Sequence, residues 1–303
     1  MDDQRHTSEP APARVLPTGN HKGDVAPPPA DSLGKSTWPL LGALVMGVCL
    51  GATAAGAQDA DLAKQLSNPI ASLISVPIQF NYDDNIGPDR DGDRLTINIQ
   101  PVVPISLNED WNVISRTIVP IVSQDDIFPG AGDQFGLGDT VQSLFFSPKE
   151  VGSSGIIWGV GPVFLVPTAT DELLGTEKWG AGPTAVVLKQ FGGLTVGVLG
   201  NHIWSVAGDD DRSDVDATFM QPFISYTTAD AWTFSLNTET TYDWENEEWT
   251  VPINAVVSKL TSLGRQPVSI FGGVRYYADS PEGGPHDFGM RFGMTFLFPK
   301  KVQ

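Results

Sequence analysis

The sequence predicts an exported all-β protein whose body is a closed antiparallel transmembrane β-barrel of about twelve strands. Three observations lead to this fold class. An apolar segment near the N-terminus is typical of an export signal, a long series of segments alternates in polarity, and the connections between these segments alternate in length. Only one short helix is expected, at residues 61–66.

The composition of the 303-residue chain excludes several classes of protein. The net charge is −18, from 18 Lys and Arg against 36 Asp and Glu, so no basic surface exists to neutralise the phosphates of a nucleic acid. Hydrophobic residues make up 41% and the mean hydropathy is −0.07, too polar for a bundle of membrane helices. The single cysteine, Cys49, precedes the predicted mature chain, so no disulfide is expected.

Residues 35–57 have the three parts of a secretory signal peptide. Lys35 supplies the positive charge, an apolar core of about a dozen residues follows, and small residues lead to Ala57, after which we expect cleavage. An uncleaved membrane anchor is the alternative, but the apolar run is shorter than the roughly 20 residues that span a bilayer. Residues 1–34 are Pro-rich and aperiodic, so we expect a disordered leader or a start codon assigned too early.

From residue 70 onward, segments of about 10 to 13 residues alternate in polarity and end in turns. In the last segment Phe288, Met290 and Phe292 fall on one face, with Gly289 and Arg291 on the other. A period of two with these compositions predicts a strand between two environments. The predicted strands are 70–82, 94–107, 111–122, 135–147, 156–168, 179–191, 194–206, 216–228, 231–242, 248–258, 267–278 and 287–298.

The connections between the predicted strands sort by length. Those after odd-numbered strands are mostly long and acidic, for example 83–93, whereas those after even-numbered strands are mostly short. Short periplasmic turns and long extracellular loops are typical of outer-membrane barrels with both termini in the periplasm. We therefore assign 70–298 to the barrel, 58–69 to a short periplasmic N-terminal segment and 299–303 to a C-terminal tail.

The alternative fold is a soluble β-sandwich or lipocalin-like barrel with its apolar side chains inward. Two features favour the transmembrane barrel over this soluble alternative. The polar faces carry Gly, Ser, Thr, Asn and Gln, which suit a wet lumen, and the apolar faces begin or end in aromatic residues, as interfacial girdles do. These residues are Tyr82, Trp111, Trp158, Trp179, Trp204, Tyr226, Trp232, Tyr242 and Trp249.

Four stretches of the chain carry a family resemblance, at 68–88, 97–122, 136–149 and 159–188, and its most specific piece is KWGAGP at 178–183. Together they resemble the outer-membrane family labelled "MetA-pathway of phenol degradation", whose members are sometimes misnamed neuromedin U. The resemblance implies an outer-membrane barrel assigned to transport, in some members near genes of aromatic catabolism. It implies no particular substrate and no catalytic residues.

If the polar faces point inward, the lumen holds few charges: Arg116, Glu239, Arg275 and Arg291. Facing charges in a pore orient and select solutes, but Arg–carboxylate networks also brace a barrel wall, and the two roles are compatible. Apolar side chains are expected to point inward as well. These are Phe146, Leu165, Leu188 and Phe271. Because about twelve strands leave a narrow lumen, a selective conduit is favoured over a wide porin.

The acidic loop after the first predicted strand is a weak candidate for a metal site. Asp89, Asp91 and Asp93 alternate around Gly92, and Ca²⁺ prefers several oxygens at such spacing. The loop lacks the glutamate that ends a calcium-binding loop, so loosely bound Ca²⁺ competes with a simpler interpretation, solvated acidic loops. A third interpretation is divalent-ion bridging to lipopolysaccharide phosphates.

Enzymatic chemistry is not expected. His202 and His286 are the only histidines after the predicted cleavage site, and no nucleophile, phosphate-binding or zinc motif accompanies them. We expect no catalytic residue and no cofactor. The predicted function is passive diffusion of small, hydrophobic or aromatic solutes through an outer-membrane channel in contact with lipid and lipopolysaccharide. The alternatives are a structural or surface-interaction barrel without an open pore, and a hydrolase at the lipid boundary.

Overall fold

A computed structural model describes residues 54–299 of the chain. The predicted leader at 1–34, most of the predicted signal peptide at 35–57 and nearly all of the tail at 299–303 lie outside the described residues. In the described part, no helix is both long and apolar enough to cross a membrane.

The body of the protein is a single antiparallel sheet of sixteen strand segments. They are β1 (Ile74–Ile86), β2 (Gly92–Ile99), β3 (Val102–Ser106), β4 (Trp111–Asp125), β5 (Gln134–Leu137), β6 (Thr140–Pro148), β7 (Ile156–Val166), β8 (Lys178–Phe191), β9 (Leu194–Gly208), β10 (Asp216–Thr227), β11 (Trp232–Thr238), β12 (Thr240–Asp243), β13 (Glu248–Thr250), β14 (Pro252–Leu263), β15 (Gln266–Tyr277) and β16 (Phe288–Phe298). Four of the predicted strands are each split in two, so the sixteen segments form twelve crossings.

The first and last strands close the sheet into a barrel. β1 pairs antiparallel with β16, from Ile74 opposite Phe298 to Tyr82 opposite Met290. A closed sheet leaves no edge of unpaired N–H and C=O groups, which is the condition for a sheet to lie in hydrocarbon. The predicted closed antiparallel barrel of about twelve strands is therefore confirmed.

The two ends of the barrel differ, as predicted. At the end where β1 begins and β16 ends (the terminal end), the turns are 107–110, 149–155, 192–193, 228–231 and 264–265. At the opposite end (the loop end), the connections are 87–91, 126–133, 167–177, 209–215, 244–247 and 278–287. The predicted loop at 83–93 is shorter than expected, because β1 continues to Ile86.

Side chains alternate between the inside and the outside of the wall. In β16, Phe288 and Met290 are 65% and 55% exposed, whereas Arg291 is 4% exposed. Eleven residues at about 3.3 Å each, tilted by about 40°, span about 28 Å along the barrel axis, enough for the apolar band of about 25 Å that outer-membrane barrels have. Exposed aromatic residues lie at both ends of this band, namely Trp158, Tyr226 and Trp232 at the terminal end and Trp179, Trp204, Trp249 and Tyr276 at the loop end.

A one-residue bulge between β5 and β6 reverses the alternation of that strand. Ile121 pairs with Leu137 and Ile118 pairs with Val141, so four steps on one strand oppose three on the other. The prediction that Phe146 points inward was wrong for this reason. Phe146 is 40% exposed on the outer face, and Phe145 is fully buried inside.

The segment before β1 lies inside the terminal end of the barrel. It consists of the helix α1 (Ala54–Leu66) and the chain that follows to Leu73. Leu62 and Ala63 of the helix pack against β14, β16 and the turn before β11. Ile70 packs against β4, β6, β8 and β9 on the other side. The predicted short helix is thus present but longer than 61–66, and we call residues 58–73 the plug.

Candidate functional site

Arg275 on β15 is the centre of a buried network inside the barrel. Its Nη1 donates to Asp83 Oδ2 at 3.0 Å, its Nη2 to Glu239 Oε2 at 3.3 Å, and its Nε to Asn254 Oδ1 at 3.0 Å. Nη1 also donates to the hydroxyl of Tyr277 at 3.2 Å. Every nitrogen of this guanidinium has a partner, so Arg275 holds the wall together.

Arg291 on β16 and Glu239 form a two-pronged ion pair. The Nη1 and Nη2 atoms of Arg291 donate to the two carboxylate oxygens of Glu239 at 2.7 and 2.6 Å, and Nε donates to Asn81 Oδ1 at 2.8 Å. Glu239 lies at the break between β11 and β12, so the pair joins strands that are not neighbours. Parallel N–H···O bonds of this kind are among the stronger ones in proteins.

Two members of the network were missed by the sequence reasoning, Asn81 and Asp83 of β1. They were assigned to the end of a strand and to an acidic loop, but both are buried and face the lumen. The signal was their spacing of two around the outward Tyr82. Gly289 of β16 lies beside Asp83, and a Cβ atom there would be 2.6 Å from Asp83 Oδ1, so the glycine leaves room for the ion pair of Asp83.

Arg94 on β2 was also missed. It stands opposite Asp83 in the β1–β2 ladder, and its Nε donates to Gln124 Oε1 at 2.8 Å. Gln124 donates in turn to Gln134 Oε1 at 2.9 Å. A second polar chain therefore follows the lumen wall towards the loop end.

Arg116 on β4 stands apart from the network. Its Nη2 donates to Gln100 Oε1 at 3.2 Å, and among the described residues no carboxylate oxygen lies within 4.0 Å of its guanidinium. Of the four charges predicted for the lumen, the structure brings Glu239, Arg275 and Arg291 together and leaves Arg116 outside their ion pairs.

A cavity of about 310 Å³ lies between the plug and the network. Its polar lining includes Gln79, Gln100, Arg116, Gln221, Asn237, Glu239 and Arg291, and its apolar lining includes Leu66, Leu73, Val102, Phe223, Val256 and Phe271. The predicted inward position of Phe271 is correct, and Leu165 and Leu188 are buried in the wall as predicted. The cavity therefore combines charged and apolar walls, a combination found in small-molecule sites.

The acidic residues proposed for a metal are not gathered into a site. In the described residues no group of three or more His, Cys, Asp or Glu side chains is placed to hold a metal ion, and this includes Asp89, Asp91 and Asp93. Asp93 instead accepts a hydrogen bond from the Tyr82 hydroxyl at 3.4 Å and stands opposite Asp125 in the ladder. Calcium binding at these loops stays a prediction without support from the geometry.

His202 lies on the outer face of the barrel, within the aromatic band of the loop end. Its Nδ1 is 2.7 Å from Thr218 Oγ1, and its Nε2 is 3.0 Å from Asp216 Oδ1. The order hydroxyl, imidazole, carboxylate resembles a hydrolase triad. However, Thr218 Oγ1 also accepts a hydrogen bond from Trp244 Nε1 at 2.9 Å, and the surrounding backbone belongs to the β9–β10 ladder. An oxyanion would find no spare backbone donors there. His286 lies in the exposed loop before β16.

A buried lysine anchors one loop to the loop end of the barrel. Lys178 is 6% exposed, and its Nζ lies 3.1 Å from Asp214 Oδ1 in the loop before β10. Ser205 Oγ also donates to Asp214, at 2.9 Å. The hydrogen bond from Lys178, followed by that from Ser205, lowers the pKa of Asp214.

The fold is similar to that of solved outer-membrane barrels. A COG4313 outer membrane channel from Pseudomonas putida F1 aligns with a TM-score of 0.59 and 15% identity, over 75% of this chain and 96% of that one. The β domain of the Bordetella autotransporter BrkA aligns over 75% of this chain and all of that one, with a TM-score of 0.42 and 13% identity. No family model and no curated protein matches the sequence. The structural similarity to the COG4313 channel supports the barrel class. Because no family model matches, the resemblance to the MetA-pathway family stays a hypothesis.

Proposed function

We propose that the protein is an outer-membrane channel through which small, largely hydrophobic or aromatic solutes diffuse passively. One observation carries the proposal: a closed barrel with an apolar outer band encloses a cavity with both charged and apolar walls. A wall of this kind suits a lipid bilayer on the outside and a solute on the inside. The same geometry gives no support to an enzymatic role.

The proposed location is the outer membrane of a Gram-negative cell, after cleavage of the signal peptide near Ala57. Support comes from the short turns at the end where β1 begins and β16 ends, which is the periplasmic end in outer-membrane barrels. The loop end would then face the outside of the cell, in contact with lipopolysaccharide. Because α1 begins at Ala54, cleavage after Ala57 would leave most of the helix in the mature protein.

In this proposal the plug is the gate on the periplasmic side. A solute entering from the loop end would pass the network of Arg275 and Arg291 and reach the cavity. To leave, it needs the plug to move, because α1 and Ile70 contact opposite sides of the wall. Passage is therefore expected to be slow and selective in comparison with a wide porin.

The test is solute uptake into liposomes that contain the purified protein. At equal protein content, we expect small aromatic solutes to be taken up faster than a disaccharide. Liposomes with heat-denatured protein are the control for leakage through the lipid. Equal uptake by both preparations would refute the channel.

A second candidate function is a sealed structural barrel. The plug and the braced network favour it, because they lie across the lumen on either side of the cavity. A sealed barrel predicts no uptake and silent planar bilayers, both for the native protein and for variants whose plug is loosened. Conductance steps in the loosened variants alone would assign the plug a gating role.

A further inference from the structure

The charges around the lumen cavity do not balance. The network and the cavity wall contain three arginines, Arg116, Arg275 and Arg291, but two carboxylates, Asp83 and Glu239. Both carboxylates are engaged by Arg275 and Arg291. Among the charges that line the cavity, the uncompensated one is therefore Arg116, in a chain whose net charge is −18. Arg94 also has no carboxylate within 4.0 Å among the described residues, but it does not line the cavity.

Arg116 has unused hydrogen-bonding capacity where it borders the cavity. A guanidinium presents five N–H donors, and in the described residues the Arg116 side chain uses one of its nitrogens, on Gln100. A planar fork with open donors matches a carboxylate, which accepts two parallel hydrogen bonds. Arg116 is half-buried in the lumen wall, and a partly desolvated charge is stabilised by a partner of opposite charge.

The other cavity walls restrict what that partner is. Val102, Phe223 and Phe271 give the cavity an apolar side that an inorganic anion would leave empty. Glu239 borders the same cavity, and its negative charge disfavours a dianion more than a monoanion. A volume of about 310 Å³ is at the small end for ligand sites, so a single ring or a short chain fits.

We propose that the cavity is a binding site for a small organic monocarboxylate, with its carboxylate on Arg116 and its apolar body against Val102, Phe223 and Phe271. This inference rests on the proposed channel, because the lumen is the route by which a solute reaches the cavity. It sharpens the solute class from hydrophobic to amphipathic and singly negative. Arg275 and Arg291 hold the wall, and Arg116 holds the solute.

The experiment measures binding to the purified full-length mature protein in detergent, by equilibrium dialysis. The probes are benzoate, benzyl alcohol and benzylamine, which share a ring and differ in charge. We expect benzoate to bind most tightly and benzylamine most weakly. Arg116→Gln should weaken benzoate binding by about tenfold or more and leave benzyl alcohol unchanged. Arg265→Gln, which removes an exposed arginine from a turn, is the matched control and should bind as the native protein does.

Several outcomes would overturn the site: no benzoate binding to the native protein, equal benzoate affinity in Arg116→Gln and the native protein, or an equal loss in Arg265→Gln. If Arg116→Gln fails to fold, the order of the three affinities on the native protein decides, and any order but the expected one refutes the proposal. Arg116→Lys, which keeps the charge, should retain part of the benzoate affinity. Uptake into liposomes separates the two proposals, since benzoate binding without uptake of any solute would refute the channel and support the site.

Discussion

At the scale of single residues, the three arginines that the sequence predicts for the lumen divide into two kinds. Arg275 and Arg291 have a partner for each nitrogen, including two carboxylates, whereas Arg116 has one amide oxygen. The sequence predicts that all three point inward but not which of them are neutralised. That division depends on Asp83 and Glu239, which come from opposite parts of the chain.

Replacement of Glu239 tests the bracing role. Glu239→Gln removes the carboxylate that joins Arg291 to Arg275 and leaves buried positive charge without compensation. We expect a loss of about 3 kcal/mol in the free energy of unfolding, measured by urea denaturation of the refolded barrel in detergent. Glu248→Gln, at an exposed position of β13, is the control and should be neutral. A barrel as stable as the native protein would show that the network does not brace the wall.

The Lys178–Asp214 pair predicts that the stability of the folded protein depends on pH. The pKa of Asp214 is lower in the folded protein than its ordinary value of 3.8, so its ionised form stabilises the fold above that value. This contribution is lost as the pH falls through the lower, folded-state pKa. We expect a slightly lower Tm for Asp214→Asn than for the native protein at about pH 7, and a difference that shrinks as the pH falls below 3.8. A Tm difference that persists in acid would contradict the assignment.

At the scale of elements, the barrel wall and the plug follow different rules. Polarity alternates along each strand with a period of two, because its two faces meet different environments. The positions of the strands can therefore be predicted from the sequence. The plug has no such constraint, and its helix is stabilised by contacts with distant strands, for example between Leu62 and Leu260. Short helices of this kind gain most of their stability from packing.

Loosening the plug tests its role as a gate. Leu62→Asp places a charge in the apolar contact between α1 and the wall, where desolvation of the charge is costly. We expect several-fold higher single-channel conductance and faster solute uptake than for the native protein. Gln58→Asp adds the same charge at an exposed position of α1 and should leave both unchanged. Unaltered conductance in Leu62→Asp, with the barrel folded, would show that the plug does not limit passage.

At the scale of the whole molecule, the outer surface and the asymmetry of the two ends define how the barrel would sit in a membrane. The apolar band and its aromatic edges set the depth, and the longer connections mark one end. These features come from all twelve crossings together and not from any one strand.

Cysteine labelling of intact cells tests the proposed orientation. Asp89→Cys lies in a connection of the loop end and Glu109→Cys in a turn of the terminal end, and both positions are exposed. We expect a membrane-impermeant maleimide to label Asp89→Cys and not Glu109→Cys. The unsubstituted protein should stay unlabelled, because Cys49, its single cysteine, precedes the predicted cleavage site. The reverse pattern would invert the orientation.

The sequence by itself determined the barrel class, the approximate strands and the inward direction of Arg116, Glu239, Arg275 and Arg291. It could do so because alternation and turn residues are local properties. The tertiary structure decided the rest: the bulge that turns Phe146 outward, the ion pair of Asp83 with Arg275, the plug and the lack of a carboxylate partner for Arg116. Each of these depends on contacts between residues far apart in the chain, and such contacts leave no periodic pattern in a single sequence.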